Sequence, residues 1–129
     1  MLHQYLTATT VVKANRTATS PTQFGFLNVV DNPLIFGPLI SSTPVGRSQG
    51  LKASSSLETV SLFCALNFIF TEGEYNGSSL AVLGQNPLRH PVREQPIIGG
   101  SGVFRLARGI ATFVTYFFDV PANNASVWT

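Results

Sequence analysis

Apolar positions in this chain fall in short runs rather than along a helical stripe. No long stretch keeps apolar residues at i, i+3, i+4 and i+7, while β-branched and aromatic residues fill runs bounded by Gly, Pro, Asn or Ser. The pattern predicts an all-β chain with strands over residues 6–14, 24–31, 46–54, 60–70, 79–83, 95–98 and 104–118. Residues 60–70 (VSLFCALNFIF) and 110–118 (IATFVTYFF) are apolar on both faces. A one-sided antiparallel sheet would alternate instead, so both faces are expected to be covered. A closed antiparallel barrel, with side chains or a ligand inside and a subunit interface outside, meets that requirement.

Turn chemistry sets the expected boundaries. Pro33 fixes its own φ and disfavours helix before it, so the second strand is predicted to end at Asp31-Asn32-Pro33. Tyr75-Asn76-Gly77-Ser78 carries an Asn-Gly pair suited to a hairpin with positive φ at both central residues. The stretch Gly99-Gly100-Ser101-Gly102 reads as a flexible turn. It is not a phosphate-binding loop, because the VFRLARGIATFVTYFF behind it is strand-like and a phosphate loop needs a helix start there.

Composition narrows the function classes. A chain of 129 residues, 44% of them hydrophobic, fits one domain over residues 1–129 with a substantial core. Only 11% of residues are charged and the net charge is +2, so no clustered basic face is available for nucleic acid. The apolar stretch 60–70 is too short to span a membrane and is interrupted by Asn67. Cys64, the single cysteine, excludes an internal disulfide and is expected to be a buried, inert thiol. His3 and His90 stand apart from any Cys or acid cluster, so no metal is expected, and Ser48 and Ser101 have no His-Asp partners. The opening MLHQYLTATT carries no signal-peptide pattern, yet three sequons, at Asn15, Asn76 and Asn124, favour a secreted glycoprotein.

Several motifs occur together and in order: FGFLNVVDNPL (24–34), VGRSQG (45–50), NFIFTEGEYNGSSLAVLGQNP (67–87), VRE (92–94) and GGSGVFRLARGIA (99–111). In these the chain resembles the dirigent family of plant proteins. The resemblance implies an eight-stranded antiparallel barrel related to allene oxide cyclases, forming a homotrimer or homodimer and secreted to the cell wall or apoplast. It further implies stereoselective coupling of phenoxy radicals of a monolignol, coniferyl alcohol, in lignan and defence-related phenolic biosynthesis. A separate laccase or peroxidase makes the radicals; the protein has no cofactor and no redox centre, and contributes proximity and orientation. An acid that stabilises the developing charge on a quinone-methide oxygen would assist the later cyclisation. Two other readings stand beside this one: a cyclase or isomerase acting on a closed-shell substrate in the same cavity, and a truncated, nonfunctional paralogue.

The resemblance carries over to few residues. Arg93, in VRE, matches the family's pocket arginine, whose guanidinium can hydrogen-bond a phenol or quinone-methide oxygen; the bland alternative is an ion pair with Glu94 or another rim carboxylate. Asn86 stands where lignan-forming members place an aspartate, and an amide orients a phenol without donating a proton as a carboxylic acid would. Phe68 and Phe113, with Phe70 and Phe104, are candidate pocket or core aromatics. Family members open on a strand with a His-Asp pair, whereas here only TATTVVKAN (7–15) matches, and NNASVWT precedes the expected final strand. An open or partial barrel is therefore expected, its first and last strands missing or altered.

Overall fold

The computed structural model describes residues 2–5, 7–37, 39, 41–119 and 124–128; for residues 5, 116–119 and 124–128 the backbone alone is described. The strands are β1 (His3–Tyr5), β2 (Thr9–Lys13), β3 (Phe26–Phe36), β4 (Thr43–Ser54), β5 (Ser61–Phe70), β6 (Ser79–Pro87), β7 (Val92–Ser101), β8 (Gly109–Asp119) and β9 (Asn124–Trp128). All pair antiparallel in one sheet of order β1-β9-β8-β7-β6-β5-β4-β3-β2, and β1 pairs with β3 as well. The sheet thus curls until its ends meet through three residues. Because β1 and β2 lie along opposite ends of β3, the nine strands of the described residues fill eight positions around a barrel. The expected first and last strands are altered rather than missing: His3-Gln4-Tyr5 is too short to show any periodicity, yet it closes the ring.

The break between β1 and β2 explains why β3 outruns its predicted end. The backbone N–H of Asp31 donates to Thr7 Oγ1, in the gap between β1 and β2. Pro33, two residues on, turns its nitrogen to the same side, where no ladder partner is left without a donor. Asn32 Oδ1 accepts from Thr7 N at 2.8 Å and from Thr7 Oγ1 at 3.1 Å, so side chains fill the missing rung. Strand β3 therefore continues to Phe36.

Inside the barrel, small residues on β4 face large ones on β5. Gly46, Ser48 and Gly50 lie opposite Phe70, Phe68 and Leu66. A Cβ on Gly50 would sit 2.0 Å from the Ala65 carbonyl oxygen, so glycine is required there for close strand approach. The resulting core joins Val30, Leu34, Cys64, Leu66, Phe68, Val82, Ala111 and Phe113. The outward residues of the same strands, including Phe63, Leu83, Ile110 and Val114, are exposed in the single chain, so the outer cover expected for 60–70 and 110–118 does not come from within it.

Two turns differ from expectation. Asn76 has φ −53° and ψ 133°, and only Gly77 has positive φ, +84°, so the turn is of type II and not the doubly positive type. Residues 99–101 belong to β7, where a Cβ on Gly100 would meet the Phe104 and Ser79 carbonyl oxygens at 2.4 and 2.6 Å. Close packing, not flexibility, places glycine there. The turn follows, as a 3-10 segment at Gly102–Phe104 and a bend through residues 105–108, so β8 starts only at Gly109.

Candidate functional site

The two ends of the lumen differ in chemistry. At the end where β5 finishes, Phe70, Tyr75 and Phe104 form a triad with ring centroids 5.1–6.1 Å apart. These rings close that end with apolar surface. Further in, Phe68 of β5 and Phe113 of β8 meet across the lumen at 6.2 Å.

The opposite end is polar. Period-2 alternation sends Lys52 of β4, Cys64 of β5, Asn86 of β6, and Arg93 and Gln95 of β7 to the inner face, and cross-strand register brings them together: Lys52 opposite Cys64, and Arg93 opposite Phe113. Cys64 lies at the centre of the group. Burial pushes its thiol pKa up, opposed by the nearby Lys52, Gln95, Asn86 and Arg93, so it stays a protonated core thiol rather than a nucleophile.

Arg93 is 2% exposed and donates through Nη1 to His90 O and Thr115 Oγ1, each at 2.9 Å. It does not pair with Glu94, which lies on the outward face and is exposed. Its Nε and Nη2 have no partner among the described residues, nor do Asn86 Oδ1, Asn28 Oδ1 and both amide atoms of Gln95. A buried polar atom without a hydrogen bond costs about 1–3 kcal/mol, so a concentration of them at one end of a lumen marks a surface suited to a polar guest. Desolvation also lowers the pKa of Arg93 and of Lys52, the latter further lowered by Arg93. Lys52 keeps accessible surface while protein surrounds it on most sides, as befits a group lining an enclosed space.

Four of the residues singled out from sequence, Arg93, Asn86, Phe68 and Phe113, face this lumen and are buried. Phe70 and Phe104 belong to the aromatic closure. Lys52 and Gln95 escaped the sequence reading, although alternation from Arg93 reaches Gln95 two residues on and alternation from Ser48 reaches Lys52. Asn15 and Asn76 lie exposed in turns; the side chain of Asn124 is outside the described residues. Surface clefts near the polar end, one of about 370 Å³ lined in part by Pro21, Glu58 and His90 and another of about 560 Å³ that reaches Arg93, miss Lys52, Asn86 and Gln95. The lumen is the better site, because the unpartnered polar atoms point there.

Fold and site together define an antiparallel barrel with an aromatic floor and a polar, cation-bearing mouth. The family model of dirigent-like proteins matches residues 2–128. The chain is 50% identical over 106 residues to dirigent protein 11 of Arabidopsis thaliana, covering 82% of this chain and 55% of that protein. It is 39% identical over 118 residues to pterocarpan synthase 1 of Glycine max, covering 91% and 63%. Among solved structures, a pterocarpan synthase dirigent protein superposes with a TM-score of 0.87 at 35% identity, covering 98% of this chain and 79% of that one. The chain belongs to the dirigent family. It spans somewhat over half the length of the curated relatives it matches.

Proposed function

We propose that this chain binds phenolic intermediates in the barrel lumen and fixes the face on which a new bond forms. In the first reading the reaction is the coupling of two phenoxy radicals from a monolignol such as coniferyl alcohol, with the radicals supplied by a separate laccase or peroxidase. The observation that carries the proposal is the set of unpartnered donors and acceptors on Arg93, Asn86 and Gln95 beside the rings of Phe68 and Phe113. Arg93 and the amides hold the phenolic oxygen, while the aromatic walls restrict the ring. Radical recombination needs little activation, so orientation alone sets the product.

A second reading is favoured by the likeness to pterocarpan synthases in both sequence and structure. There the substrate is closed-shell, and Arg93 and Lys52 stabilise negative charge on an oxygen as a ring closes. Secretion, glycosylation at Asn15 and Asn76, and self-association into a homotrimer or homodimer belong to the same proposal. The exposed outer row of Val29, Leu51, Phe63 and Leu83 supports the last of these.

The test is chiral chromatography of products formed from coniferyl alcohol with a one-electron oxidant, with and without the protein. An enantiomeric excess that disappears in Arg93→Met supports radical coupling. Product from a closed-shell quinone methide without oxidant favours the second reading, and racemic product with no phenol binding contradicts both.

A further inference from the structure

The charge at the polar end of the lumen is one-sided. Lys52 and Arg93 both face it, close enough for Arg93 to disfavour the charge on Lys52. Five of the six acidic residues, Asp31, Glu58, Glu72, Glu74 and Glu94, are exposed, and the side chain of the sixth, Asp119, is outside the described residues. The inner faces around the two cations carry neutral groups: Asn28 from β3, Ser54 from β4, Cys64 from β5, Asn86 from β6, Gln95 from β7, and Phe113 and Thr115 from β8. Among the described residues Lys52 makes no hydrogen bond or ion pair, and Arg93 bonds only a carbonyl and a hydroxyl oxygen. The outward-facing Arg47, by contrast, is paired with Asp31. Two cations held in a low dielectric without a counter-charge make a site for an anionic oxygen.

Resting on the reading of the lumen as a phenol site, we infer that Lys52 and Arg93 select a phenolic acid, held by its carboxylate, over the corresponding neutral alcohol. The carboxylate is favoured over a phenolate by its own chemistry. A phenol titrates near pH 10, so at neutral pH only about a thousandth of it carries charge, whereas a carboxylic acid titrating near pH 4 arrives ionised. The guanidinium edge of Arg93 with free Nε and Nη2 matches the two oxygens of a carboxylate, and Lys52 adds a point charge from β4. The ring then extends toward Phe68 and Phe113.

The experiment is calorimetric titration of the chain at pH 7 with 4-hydroxy-3-methoxycinnamic acid and, separately, with its cinnamyl alcohol, repeated for Lys52→Met and Lys52→Gln. Thermal unfolding of each variant verifies that it folds. The acid is expected to bind at least about tenfold more tightly than the alcohol. Both substitutions should remove most of that difference by weakening the acid more than the alcohol. Equal binding of acid and alcohol, or a preference that survives both substitutions, overturns the inference and leaves the phenol site standing. Binding of neither ligand overturns the phenol site and the inference with it.

Discussion

The two ends of one lumen have been built for different purposes. At the closed end apolar groups dominate the inner face, small residues of β4 interlock with large ones of β5, and Phe70, Tyr75 and Phe104 stack over the opening. At the polar end the same strands carry Lys52, Asn86, Arg93 and Gln95, with buried polar atoms that find no protein partner. The first arrangement lowers the free energy of the fold. The second raises it, since desolvated cations and unsatisfied amides destabilise a core. Groups that weaken the fold and cluster in one place are best explained by what they bind, and this contrast separates the scaffold from the site.

The largest expected effects lie at the closed end. Phe68→Ala removes a buried ring from the middle of the core and should cost about 3–5 kcal/mol, read as a lower midpoint in denaturant unfolding. Gly50→Val, which would drive a Cβ into the Ala65 carbonyl, is expected to abolish cooperative unfolding altogether. If either variant were as stable as the parent, the closed end would not be the scaffold described.

The polar end should respond in the opposite sense. Lys52→Met replaces a desolvated, unpaired cation with an apolar chain of similar length and should raise stability by about 1–2 kcal/mol at neutral pH. The pH dependence follows from the same cause. The folded-state pKa of Lys52 is below its unfolded value, so the unfolded chain binds more protons in the window between them and parental stability rises with pH through that window. The rise should be absent in Lys52→Met, as measured by unfolding at a series of alkaline pH values. The smallest effect belongs outside the lumen: Arg47→Ala breaks an exposed ion pair and should shift stability by no more than about 0.5 kcal/mol.

How much of this was legible in the sequence differs between the same two regions. The all-β class and most strand cores followed from alternation and punctuation, because long apolar runs such as 60–70 are strongly patterned. Arg93 and Asn86 stand out through family motifs and Phe68 and Phe113 as aromatics of the apolar runs; all four are buried on the inner face. The end of β3 is not legible because Pro33 is harmless only where its neighbour strand is interrupted, a fact of tertiary pairing that its local sequence does not carry. Strand β1 leaves no pattern in the sequence because three residues contain no period. In the sequence Lys52 reads as one lysine in a chain of scarce charge; only the register that sets it opposite Cys64 shows that it points inward.

The most direct test of the site is a nuclear magnetic resonance titration with coniferyl alcohol, following the side-chain amides of Asn86 and Gln95, the Arg93 Nε–H and the aromatic signals of Tyr75 and Phe104. The lumen account expects concentration-dependent shifts at the first three groups, little change at the aromatic closure, and loss of the shifts in Arg93→Met. Shifts confined to the outer cleft around Glu58 and His90, with the Asn86 and Gln95 amides unmoved, would contradict it.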